Sequence, residues 1–117
     1  MLRPTTPEDL AAAGPGQGGA YRCWATAYPP QETSSILLGS HKATSPRLAL
    51  RWLRERARNV TDQLDMAYAQ PGRYWLRDEN EHERALAYLT TGTAYQLTLH
   101  DENTRYVLVA YPPGATS

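Results

Sequence analysis

The stretch from Ser45 to Ala67 limits the possible folds of this chain more than any other. Ser45 is a natural helix cap, Pro46 suits the first helical position, and Leu50, Leu53, Ala57, Val60, Leu64 and Ala67 recur at alternating steps of three and four. That period predicts an amphipathic helix of about twenty residues over 45–68. Such a helix must bury its apolar stripe against a second layer. The flanking segments offer that layer in a different period.

Residues 20–28 are aromatic and β-compatible, and residues 33–40 contain "SSILLGS"; "PPQET" joins them, its tandem prolines ending the first strand. Beyond the long helix, "DENEHERALAYLTTG" predicts a second. Asp78 and Glu81 have capping-box spacing, Ala85, Leu86 and Leu89 form the stripe, and Gly92 stops it. "AYQLTLH" then alternates, with Tyr95, Leu97 and Leu99 on one side and Gln96, Thr98 and His100 on the other. "DENT" turns the chain, and "RYVLVAY" is apolar on both faces, as an interior strand is. The expected fold is α+β in the order ββααββ, an antiparallel sheet of about four strands with two helices packed on one face.

Domain limits follow from composition along the chain. In residues 1–19, "TTPEDLAAAG" has Thr6 as cap, Pro7 at the first helical position and Gly14 as stop, so a short helix is expected. "GPGQGG" then acts as a link, because it lacks the Gly-Lys-Ser/Thr ending of a phosphate loop. Residues 20–113 form the single domain and 114–117 a tail.

One phrase occurs twice: "RCWATAYPP" at 22–30 and "RYVLVAYPP" at 105–113. The two copies are the first and last strands, expected as neighbours at the sheet centre, each ended by Pro-Pro where pairing must stop. If the hairpin loop runs from Asp101 to Thr104, His100 faces Arg105, Thr98 faces Val107, Gln96 faces Val109 and Ala94 faces Tyr111. Aligning the copies puts Tyr21, Cys23, Ala25 and Ala27 inward, small enough at their centre for close approach of a helix. The face away from the helices then displays Arg22, Trp24, Tyr28, Gln96, Thr98, His100, Arg105 and Tyr111.

Composition excludes several function classes. Twelve basic and twelve acidic residues balance, so any electrostatic function is local. No apolar run reaches membrane length and no secretory leader pattern opens the chain, which leads to the expectation of a cytoplasmic protein without membrane partners. Cys23 stands alone, which excludes an internal disulfide and fits a small buried strand residue. Eleven arginines against the single Lys42 point to a GC-rich bacterial genome, a bias that weakens any argument from arginine count. Eight tyrosines and no phenylalanine need another reason, since the two have codons of equal GC content. A ring with a hydroxyl suits a boundary between dry and wet surface.

An open sheet face carrying rings and guanidinium groups suits single-stranded nucleic acid, where bases stack and cations hold phosphates. The expected function is therefore a small binding module, nucleic-acid-associated or regulatory. The same residue types are enriched at protein interfaces, so a protein-interaction module or a homodimeric accessory protein is the alternative. A second anion site is expected at "GSHKATSP", from His41, Lys42, Ser45 and Arg47 around free backbone N–H groups. Arg47, Arg51, Arg54 and Arg58 line one stripe of the long helix, read as a solvated face. His41, His82 and His100 share no recognised ligand spacing, so neither metal nor cofactor is expected.

The enzymatic alternative is a metal-independent, toxin-like ribonuclease. His100, Arg105 and Arg22 with Tyr28 or Tyr111 would supply base, acid and phosphorane stabiliser from one face. "ATAYPP" is similar to the closing strand of ribonuclease A-like bacterial toxin domains. In this chain the phrase lies in the first strand, Val109 replaces the threonine in the last, and the early histidine motif of those domains is absent. The family is not assigned.

Overall fold

The computed structural model describes residues 19–30 and 34–114. Along them run β1 (Tyr21–Tyr28), β2 (Ile36–Ala43), α1 (Pro46–Gln63), α2 (Met66–Arg77), α3 (Glu79–Thr90), β3 (Tyr95–His100) and β4 (Arg105–Tyr111). The class is α+β, with all strand pairs antiparallel and the sheet order β2-β1-β4-β3. The first and last strands do pair at the centre. The N-terminal helix expected within residues 1–19, and most of the tail, fall outside the described residues.

Between the hairpins lie three helices where two were expected, so the order is ββαααββ. The long helix also stops at Gln63, short of 68. Leu64 turns extended there, its N–H held by the Thr61 carbonyl at 3.1 Å. A new helix, α2, starts one residue after Asp65 and carries Pro71 inside it. Pro71-Gly72 reads as a break in sequence, yet Gly72 is required for close packing: a Cβ there would collide with the Thr61 Oγ1 of α1. Proline forfeits one helical hydrogen bond, and packing of Ala69, Gly72 and Trp75 offsets the loss.

Caps set the other boundaries. The Ser45 side chain accepts the Leu48 N–H at 3.2 Å and opens α1 behind Pro46; Asp78 accepts the Glu81 N–H at 3.1 Å and opens α3. Gly92, at φ +89, ends the helical segment in the left-handed region that a side chain would resist.

The core lies on one side of the sheet. Cys23, Ala25, Leu108, Ala110 and Tyr95 meet Ala49, Leu50, Leu53 and Ala57 of α1, Trp75 of α2, and Ala85, Leu86 and Leu89 of α3. Small residues on β1 and α1 face each other, which lets the helix axis approach the sheet closely. A buried polar chain joins the remaining elements: Trp75 Nε1 donates to Tyr95 Oη at 2.8 Å, and Tyr95 Oη donates to Glu81 Oε2 at 2.6 Å. His82 lies edge-on to Trp75 and its Nε2 sits 2.7 Å from the Trp75 carbonyl, at the end of α2. Both groups are buried, and each finds the partner that makes burial tolerable.

Candidate nucleic-acid interface

The outward face is set by register. Across β1 and β4, Arg22 faces Tyr111, Trp24 faces Val109, Thr26 faces Val107 and Tyr28 faces Arg105. Across β4 and β3, Val109 faces Gln96, Val107 faces Thr98 and Arg105 faces His100. β2 adds Lys42 beside Arg22, Ser40 beside Trp24 and, beyond a bulge at Ala25/Thr26, Leu37 beside Thr26. Side chains opposite each other on paired strands share a face, so these residues form four rows. The expected hairpin pairs of Gln96, Thr98 and His100 are present, while the described ladder ends at Tyr95 with Ala110 and does not extend to Ala94 with Tyr111.

The repeated phrase has a geometric consequence. Two strands that each run from Arg to Tyr, paired antiparallel in register, place the arginine of one opposite the tyrosine of the other at both ends. Ala25 opposite Leu108 is the centre of this local two-fold pattern. At one end the Arg105 guanidinium lies over the Tyr28 ring at 4.6 Å; at the other Arg22 lies over Trp24 at 5.8 Å, and Trp24 meets Tyr111 edge-on at 5.4 Å. Six residues of strand separate the two stations, about 20 Å. Cation–π contact holds each guanidinium beside a ring while leaving its N–H groups available.

Exposure differs along the face. Arg22, Tyr28, Lys42, Gln96, His100 and Arg105 are exposed, Trp24 and Tyr111 are half-buried, and Val109 is buried among its neighbours. Gln96 Nε2 donates to Thr98 Oγ1 at 3.3 Å. None of the outward residues of the four described strands is an aspartate or glutamate. The nearest acid, Asp101, is occupied in the β3–β4 turn, where its side chain accepts the N–H groups of Asn103 and Thr104 at 2.7 and 2.6 Å and the Tyr106 hydroxyl at 3.2 Å. These bonds, with the Thr104 N–H foremost, hold its carboxyl below the usual aspartate range.

The residues considered for ribonuclease chemistry fall into two groups. His100, Arg105 and Tyr28 share one row, whereas Arg22 and Tyr111 occupy the row at the far end. Base, acid and stabiliser must reach one phosphodiester within hydrogen-bond distance, and the two rows stand about 20 Å apart.

The residues expected at the second anion site point in different directions. His41 pairs with Cys23 on the helix side and stacks on Trp52 of α1, ring centroids 6.0 Å apart. Lys42 projects outward beside Arg22, Ser45 is engaged as a cap, and Arg47 is exposed on α1 with Arg51, Arg54 and Arg58. Lys42 thereby joins the outward face, and so do Ser40 and Leu37, none of which alternation in the other strands places there. Only the register of β2 could have found them, and the bulge interrupts the alternation that would reveal it.

Comparison with models of known protein families, with curated proteins and with solved structures finds no match to this chain. No helix among the described residues is long and apolar enough to cross a membrane.

Proposed function

We propose that the outward face of the sheet binds single-stranded nucleic acid, as a nucleic-acid-associated or regulatory module. One observation carries this reading: in a chain of balanced charge, the outward residues of the described strands include Arg22, Lys42 and Arg105 with Trp24, Tyr28 and Tyr111, and no carboxylate. Rings supply stacking platforms for bases of any identity, and flanking cations track the phosphates. Hydroxyl and amide groups of Ser40, Thr26, Thr98 and Gln96 lie between the two aromatic stations and offer donors and acceptors to base edges.

Fluorescence anisotropy with a labelled single-stranded oligothymidylate, repeated across a salt series, tests the proposal. With three cations neutralising phosphates, log K against log salt has a slope of about −2, and Arg105→Ala or Lys42→Ala lowers its magnitude by about 0.7. Trp24→Ala weakens binding by about 1–3 kcal/mol at any salt, the cost of one lost stacking partner. Absence of binding at low salt defeats the reading. If the protein instead dimerises and Trp24→Ala abolishes the dimer, the face is a protein interface. Strand cleavage that His100→Ala abolishes while binding persists would establish the ribonuclease alternative.

A further inference from the structure

The helix side of the sheet holds a second feature, unrelated to the outward face. A cleft of about 610 Å³ opens where the C-terminal half of α1 crosses the ends of β1 and β2. Its apolar lining comes from Ala25, Ala27, Ile36, Leu38, Val60 and Tyr106. Ile36 and Leu38, two positions apart on β2, are 51% and 42% exposed, an unusual degree for two large aliphatic side chains beside each other. The volume lies within the roughly 300–1,000 Å³ typical of small-molecule sites.

Among the described residues the same cleft is lined by one cation, Arg56. Its guanidinium lies over the Trp52 ring at 5.7 Å, and its side chain crosses Gly39 of β2, where an added Cβ would stand 3.6 Å from Nη1. That is ordinary van der Waals distance, so the arginine lies in contact range of both helix and strand. Arg56 Nε is buried and has no hydrogen-bond partner among the described residues, and none of the described ion pairs involves it. The Nε is too enclosed for a ligand atom to reach, so an acceptor brought by a ligand would have to meet the terminal nitrogens of this guanidinium, where a charge-assisted bond is stronger than one between neutral groups. The acid in the lining, Asp62, lies instead against Arg73 of α2 at 3.7 Å.

We propose that this cleft binds a small monocarboxylate with an apolar body, the size of a medium-chain fatty acid. The carboxylate accepts from Arg56 and the chain lies on Ala25, Ala27, Leu38 and Val60. A cationic head would meet Arg56 with like charge, and a neutral alcohol would leave the guanidinium with only a weak acceptor.

Amide chemical-shift mapping and calorimetry with octanoate, octanol and octylammonium test this on the whole chain. Octanoate is expected to shift the amides of Ala25, Ala27, Leu38 and Val60 and to bind at least tenfold more tightly than octanol, the value of a charge-assisted hydrogen bond. Affinity should rise about fourfold per methylene from hexanoate to octanoate, which ion pairing at an exposed arginine does not produce. Arg56→Gln should lose tenfold or more, with Arg56→Lys in between. Ile36→Ser, at an exposed position, should weaken octanoate severalfold without disturbing the fold. Equal affinity for octanoate and octanol on the wild-type protein, unchanged octanoate binding in folded Arg56→Gln, or shifts that miss these amides would overturn the proposal. The first comparison decides even if the Arg56 variants do not fold.

Discussion

The two faces of the central strand pair obey opposite rules. Inward, β1 presents Cys23, Ala25 and Ala27, none more than 5% exposed, and α1 lies close over them. Outward, the alternate residues of the same strand are Arg22, Trp24, Thr26 and Tyr28, on the side away from the described helices α1–α3. The period of two lets eight residues serve both purposes without compromise. The energetics are thereby separated: stability resides in small, tightly packed groups on one side, and the large, half-exposed groups of the proposed binding face lie on the other. Substitutions on the two faces should therefore fail in different assays.

The largest expected effect breaks the inner face. Leu108→Ala, at a fully buried position, should cost about 2–5 kcal/mol in urea unfolding, because the surrounding core cannot collapse into the space. Its neighbour Val107 points outward and is half-buried, so Val107→Ala should cost about 1 kcal/mol or less. Oligonucleotide affinity per folded molecule should survive Leu108→Ala. If the two substitutions cost the same, the faces are not energetically distinct.

A somewhat smaller effect sharpens the contrast at the contact of α1 with α2. Gly72→Ala sets a methyl group against Thr61 and should destabilise by about 1–3 kcal/mol. Removing the obstructing hydroxyl and methyl with Thr61→Ala should recover part of that loss, so the double-mutant cycle shows coupling. Additive costs in the cycle would mean that the glycine is needed for its backbone and not for the space.

How much of this was legible depends on how local the cause was. The hairpin register of β3 and β4, the pairing of the first and last strands and the inward set of β1 all follow from alternation, which acts over neighbouring residues. Helix α2 is not among the elements expected from the sequence, although Tyr68, Ala69, Gly72, Trp75 and Leu76 keep helical spacing through Pro71-Gly72. The glycine is explained only by Thr61, eleven positions away and on another helix. The contributions of Lys42 and Ser40 to the outward face likewise wait on the bulge in β1–β2 pairing. Arg56 could not be singled out among the arginines of α1, since what distinguishes it is Gly39 and Trp52 beside it in space.

Alkaline pH should touch the inner face next. Burial pushes the Cys23 thiol up to about 11, from an ordinary value near 9. Its folded value is raised, so the stabilisation it reports is complete below pH 9 and is lost as pH rises toward 11, where the unfolded chain has already released the proton. Cys23→Ala should flatten that part of the stability profile by about 1 kcal/mol; Tyr95, pushed upward by burial and by Glu81, and Tyr106, pushed upward by burial and by Asp101, contribute in the same direction at higher pH.

The smallest expected effect lies at acid pH and separates the two faces once more. The carboxyl of Glu81 is held below the usual glutamate value, first by its hydrogen bonds from Arg84 and then by that from Tyr95. A depressed folded value means that this stabilisation is present above the unfolded value near 4.5 and is lost as pH falls through the folded one. Because Arg84 is solvated, the contribution is small. Urea unfolding of the wild-type protein and Glu81→Gln between pH 3 and 6 should show the variant with the flatter acid limb. The outward face carries no carboxylate among its described residues, so affinity for oligothymidylate per folded molecule should hold through the same window. A fall in affinity that tracks the Glu81 limb would mean that the helix-side network governs the outward face, and the separation between the two would be lost.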